Sequence, residues 1–199
     1  MFERQDDCNF CNEGLLELGQ CSDYGAMVVL KTGNDLNVDW YATLQPKTMT
    51  DPEIGMNIMF VPVGHLEYFY QTDDLADENA KGGIATARLR KAMHIVMEEE
   101  WEMREETGVF FPPEIEYGKQ SKGRNTQPHI HTRFTDTSGW LAQPYPSDTG
   151  WRKKETYTAP DGDEEAGRVY VRADPSESKP LSKERFERVG NRLVELCRF

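Results

Sequence analysis

At 199 residues, 37% hydrophobic and 29% charged, the chain has room for one domain with an extension, or two small domains, and can bury a core. No apolar run approaches the roughly 20 residues needed to cross a bilayer, and the acidic start from Met1 to Asp7 lacks the basic end and apolar run of a signal peptide, so a cytoplasmic location is expected. The formal net charge of −12, from 35 acids against 23 bases, argues against wrapping DNA or RNA, yet allows a small anionic ligand in a locally positive pocket.

Acidic runs such as Glu98-Glu99-Glu100 and the stretch from Asp161 to Glu165 read as solvated surface. The 4 cysteines are too few for a disulfide framework in a chain of this length. Cys21 and Cys197 read as ordinary thiols, while Cys8 and Cys11 form a Cys-x-x-Cys pair.

In chain order, residues 26–31 are apolar and β-branched, and Gly33-Asn34-Asp35 after them is a turn signal. Residues 38–44 alternate and carry Trp40 and Tyr41, predicting a second strand that stops at Pro46, and residues 56–63 predict a buried third. The short connections suggest an antiparallel meander. From about Ile84 to Glu106, Leu89, Met93, Val96 and Met97 recur at helical spacing, and Gly108 and Pro112-Pro113 end the helix. His94 in this helix reads as a packing or surface histidine. A short strand at 114–117 leads into the basic loop from Gly118 to Arg124, and residues 128–134 form a further strand. Residues from about 138 to 178 are rich in Gly, Pro, Asp and Ser, with strand-like pieces at 155–157 and 169–172. The last segment has Phe186, Val189, Leu193 and Leu196 on one face, with Ser182 as N-cap. The expected fold is α+β, a mainly antiparallel sheet with one long packed helix. A domain over 1–139 would be followed by an extension over 140–199 that packs on it and ends in a helix.

The string Pro128-His129-Ile130-His131-Thr132-Arg133 is the most informative. In an extended strand His129, His131 and Arg133 share one face, the two histidines about 7 Å apart. A pair of surface histidines is the plain alternative. The preceding loop could cradle phosphates with its amides and with Lys119, Lys122 and Arg124, or could be only a solvated connection. Cys8 and Cys11 can grip a zinc ion as thiolates, but one such pair is half a site, and His65 at a predicted strand end is an available third donor.

Taken in order, Cys8-x-x-Cys11, Pro62-x-x-His65, a long helix, the stretch from Gly118 to Gly123, and His129-x-His131-x-Arg133 resemble the histidine-triad proteins and their relatives, the galactose-1-phosphate uridylyltransferases. Pro128-His129-Ile130-His131 looks especially like the Pro-His-Pro-His of the uridylyltransferases, and the resemblance spans roughly Cys8 to Phe134. It implies a histidine-triad-like fold and a closed structural zinc site made by Cys8, Cys11, His65 and His129. It also implies that His131 is the nucleophile toward an α-phosphorus, with His129 and Arg133 beside it, in a nucleotide hydrolase or nucleotidyltransferase. Thr126 falls where relatives place a hydroxyl near the phosphates, and Lys122 and Arg124 join it as candidate substrate-binding residues. Where relatives hold a ribose-binding acid this chain reads Ala42-Thr43-Leu44-Gln45-Pro46, which makes Gln45 the candidate. Arg133 departs from the histidine or glutamine of the third triad position, and an arginine binds phosphate firmly but cannot give and regain a proton near neutrality.

The expected substrate is a small nucleotide, a nucleoside polyphosphate or nucleotide sugar. No nucleic-acid or membrane partner is expected, and pairing through the sheets would make a homodimer. Two other readings stay open. One is a phosphoesterase whose catalytic zinc is held by His129 and His131. The other is a zinc-stabilised nucleotide-binding domain without turnover.

Overall fold

Strands whose residues are apolar on both faces persist only when both faces are covered. In the computed structural model, residues 2–48, 52–53, 55–66, 81–103, 129, 132, 134 and 178–198 are described with their side chains, and 116–117, 133, 135, 151–154, 157–158, 164–165 and 169–172 through their backbone. A short helix α1 (Asn9–Glu13) precedes β1 (Met27–Lys31), β2 (Trp40–Leu44), β3 (Lys47–Thr48) and β4 (Asn57–Pro62). Then follow the 23-residue helix α2 (Lys81–Met103), β5 (Glu116–Tyr117) and β6 (Thr132–Thr135). The predicted continuation of α2 to Glu106 lies outside the described residues.

The main sheet has 5 strands in the order β1-β2-β4-β6-β5, all antiparallel. Trp40 pairs with Pro62 and Leu44 with Ile58, while Met59 pairs with Arg133 and Ile58 with Phe134. The predicted antiparallel meander is therefore present in β1, β2 and β4, with β6 added beside β4. Alternation sends Ala42, Leu44, Ile58, Phe60 and Phe134 to one face. There they meet a stripe on α2, Ala85, Leu89, Ala92, Met93, Val96 and Met97, whose spacing repeats about every helical turn. Tyr41, Met59, Val61 and Val63 go to the opposite face and pack against Phe10 and Leu36.

The last described segment shares this core. After β11 (Lys179–Pro180), which pairs with β3, helix α3 (Lys183–Leu196) starts at Ser182, whose hydroxyl accepts the Arg185 amide at 3.2 Å as the predicted N-cap. Val189 and Leu193 of α3, with Cys197, belong to the same cluster as the α2 face of the sheet. Gly190 allows this approach, since a Cβ there would lie 2.5 Å from the Met27 sulfur.

Glu100 departs from the solvated reading of its acidic run. It sits one turn beyond Val96 on the inward stripe of α2, is buried, and is held by Arg185 and Arg188. Residues 151–172 contain β7 (Trp151–Lys154), β8 (Tyr157–Thr158), β9 (Glu164–Glu165) and β10 (Val169–Arg172), with β8–β9 nested inside β7–β10. Of these, β7 and β9 were not predicted, because Trp-Arg-Lys-Lys and Glu-Glu lack the alternating apolar pattern of a strand. Among the described residues no helix is long and apolar enough to cross a membrane.

Candidate metal centre

Cys8 is the N-cap of α1 and Cys11 lies one turn into it, so the helix turn brings both sulfurs to one side. The Tyr41 hydroxyl donates to the Phe10 carbonyl at 2.6 Å and ties α1 to the sheet. His65 follows the end of β4, where its amide donates to the Glu3 carbonyl at 3.0 Å and so joins the N-terminal segment to that end. Gly64 permits the approach: a Cβ there would run into the Leu36 carbonyl oxygen and lie 2.9 Å from the Phe2 Cβ.

His129 completes the group. Its Nδ1 is 3.3 Å from Cys8 Sγ and 3.7 Å from Cys11 Sγ, and His65 Nδ1 is 3.3 Å from Cys11 Sγ. One ligand atom from each of Cys8, Cys11, His65 and His129 falls within 4.8 Å of all the others, and all four residues are buried. This cluster could bind a metal ion. In a tetrahedral site with Zn–S near 2.3 Å and Zn–N near 2.0 Å, sulfur and nitrogen are spaced by about 3.5 Å, which is the spacing seen here.

The surroundings suit a cation. The Nε2–H of His129 donates to the Pro62 carbonyl at 3.3 Å, which leaves the Nδ1 lone pair facing the sulfurs. Phe10 packs edge-on against the His129 ring at 5.7 Å between centroids. The Cys11 thiol hydrogen-bonds Cys8, and with His129 and the Cys11 amide it overcomes burial to hold the Cys8 thiol well below its ordinary range. The same bond, reinforced by burial, pushes Cys11 up. A metal cation binding both sulfurs would displace their protons. Two thiols and two imidazoles gathered out of water, with mainly each other as partners, are costly as they stand, and one ion could engage all four.

Glu13, two residues beyond Cys11, is a feature the sequence did not single out. Burial pushes its carboxyl up to about 7, against a 3.1 Å hydrogen bond from the Ser22 hydroxyl. Nor did any sequence signal mark the Pro62 carbonyl, because a backbone acceptor carries no residue signature.

The other sequence candidates are not gathered at this centre. Gln45 is buried, donates through Nε2 to the Thr43 hydroxyl at 2.9 Å and takes the backbone register of Asn57. Asn57 and Pro62 are the two ends of β4, so Gln45 lies about 17 Å along the ladder from the end that carries the cluster. Arg133 is placed by its backbone opposite Met59. His131, Thr126, Lys122 and Arg124 lie outside the described residues, as does Lys119. His94 is half-buried on α2.

Comparison of the chain with protein-family models, with curated proteins and with solved structures finds no match in any of the three.

Proposed function

We propose that the chain is a zinc-stabilised, histidine-triad-like domain that hydrolyses or transfers nucleotidyl groups through a covalent intermediate on His131. The observation that supports this most is the convergence of Cys8, Cys11, His65 and His129. These residues, drawn from separate parts of the chain, are the set that the resemblance to histidine-triad proteins and uridylyltransferases implies. Two sulfurs and two imidazoles are the donor set zinc prefers, and when bound it would supply a cross-link between the N-terminal helix, the end of β4 and the His129 segment.

In this reading the metal ligand His129 and the nucleophile His131 are alternate residues of one string. The neutral imidazole of His131 attacks the α-phosphorus, a P–N bond forms, and the P–O bond to the leaving group breaks with its electron pair leaving on oxygen. Water or a second phosphate then attacks the same phosphorus and expels His131, which restores the imidazole. Arg133, Lys122, Arg124 and Thr126 serve as donors to the phosphoryl oxygens, and Gln45 as a hydrogen-bonding group for the sugar. A sheet-mediated homodimer and a small nucleotide substrate belong to the same reading.

A full set of four donors without His131 weighs against the catalytic-zinc reading, which needs an open position for water. The test combines trapping with metal analysis. Protein mixed with α-phosphate-labelled nucleoside triphosphates, dinucleoside polyphosphates and nucleotide sugars should carry an acid-labile, base-stable label on the His131 peptide. His131→Ala should lose the label and keep its zinc, while His129→Ala and Cys11→Ser should lose zinc. Tight nucleotide binding with no label would mean a binding domain, and loss of zinc from His131→Ala would mean a catalytic metal.

A further inference from the structure

Residues 151–172 carry chemistry that the reading at His131 does not use. The ladder between β7 and β10 pairs Trp151 with Arg172, Arg152 with Val171, Lys153 with Tyr170, and Lys154 with Val169. Directly opposed residues of an antiparallel ladder share a face, and the faces alternate. One face therefore holds the positions of Trp151, Arg172, Lys153 and Tyr170, and the other those of Arg152, Val171, Lys154 and Val169. The first is a checkerboard, with an aromatic opposite a cation at one pair and a cation opposite an aromatic at the next.

Charge is sorted along the same hairpin. In a chain of net charge −12, β7 and β10 contain no acid and carry Arg152, Lys153, Lys154 and Arg172. The acids gather beyond, at Glu155, Asp161 and Asp163 in sequence and at Glu164 and Glu165 of β9. Among the described residues neither two-stranded ladder joins the main sheet. A lone two-stranded ladder is marginal in water and gains from a covering partner.

We propose that the β7–β10 ribbon is a binding surface for single-stranded nucleic acid, with bases stacking on Trp151 and Tyr170 and phosphates meeting Lys153 and Arg172. Alternating rings and cations match a strand that alternates bases and phosphates. An acidic peptide would match the cations but leave the two rings without a role. The acidity of the whole chain opposes this only weakly, since charges farther than a Debye length, about 8 Å at physiological salt, are screened. The net-charge argument against nucleic acid is an average, and this ribbon is a local exception to it. The site stands independently of His131 and of the metal.

Fluorescence anisotropy on the full chain tests it. The probes are labelled single strands of about 12 nucleotides in RNA and DNA form, the matching duplex, a base-free strand of the same length, and polyglutamate. Single strands should bind and quench tryptophan emission, with the base-free strand and polyglutamate clearly weaker. Trp151→Ala with Tyr170→Ala should weaken binding about thirtyfold or more, and Trp151→Phe, which keeps a ring, should largely restore the Trp151 contribution. With two phosphates neutralised, affinity should fall about sevenfold over a fourfold rise in salt, and Lys153→Glu with Arg172→Glu should flatten that slope. The proposal is overturned if single strands do not bind at low salt. It is equally overturned if the base-free strand binds as well, if polyglutamate does so (an acidic-protein surface), or if Lys91→Glu on α2 weakens binding as much as the ribbon variants.

Discussion

Asp39 shows how a single buried carboxylate is held charged. Its oxygens accept from Lys81 Nζ at 2.8 Å, from the Thr32 hydroxyl at 2.8 Å and from the Asp35 amide at 2.8 Å. Burial alone would push its carboxyl up, but these donors together hold it below the ordinary value of 3.8. A depressed carboxylate contributes stability that is complete above the unfolded-state value and is lost as pH falls through the lower folded-state value. Asp39→Asn should therefore cost about 1–2 kcal/mol near neutral pH. The gap from the wild type should close as pH falls below about 4. Urea unfolding of both proteins across pH 2.5 to 7, on the order of one unit per step, checks this, and a gap that stayed constant would remove the carboxylate from the account. At the Cys/His cluster the same scale of control falls to the Pro62 carbonyl, which decides which nitrogen of His129 faces the sulfurs.

Between elements, a buried ion pair ties α2 to α3. Arg185 meets Glu100 through two bonds, Nε to Oε1 at 3.0 Å and Nη2 to Oε2 at 2.7 Å, and its Nη1 reaches the carbonyls of Pro52 at 3.1 Å and Gly55 at 2.6 Å. Arg188 adds a third bond to Glu100 at 2.8 Å. One guanidinium thus joins both helices to the turn before β4. Removing a single partner leaves a buried charge uncompensated, so Glu100→Gln or Arg185→Met should each cost about 3–5 kcal/mol. The double variant Glu100→Met/Arg185→Met should cost much less than the sum of the two. A double-mutant cycle in urea checks this, and simple additivity would show the pair to be uncoupled. The outer bonds of Arg192 to Glu99 are half-exposed and should matter far less.

Across the whole molecule, the Cys/His cluster links chain positions up to 121 residues apart. A metal bound there stabilises the folded chain by its affinity, because the unfolded chain offers no preformed site. Treatment with a strong chelator should lower the melting temperature by roughly 10 °C or more. One equivalent of zinc should restore it, and magnesium, which prefers oxygen donors, should not. A melting temperature insensitive to chelation, with no zinc retained, would rule out a metal at this centre.

Much of this arrangement could be read before the fold was known. Short apolar, β-branched or aromatic runs bounded by turn signals favour covered strands, which is why β1, β2 and β4 were legible. Helical spacing of Leu89, Met93, Val96 and Met97 marked α2, and a serine ahead of an amphipathic stripe marked the start of α3. The Cys/His cluster was legible in a different way, through the order of the Cys-x-x-Cys, Pro-x-x-His and His-x-His strings, because metal-binding chemistry requires particular residue types. What the tertiary structure alone decided concerns contacts whose partners are far apart in sequence or carry no residue signature. The stripe on α3 said that it packs, but not that it shares one core with α2 and β1. The position of Glu100 inside an acidic run hid its burial, since local composition cannot tell an inward carboxylate from an outward one until Arg185 is placed beside it. Burial of Glu13, the Pro62 carbonyl at His129 and the pairing of β3 with β11 follow the same rule. They depend on which surfaces the chain brings together, and that is set by packing over the whole core and not by any local pattern.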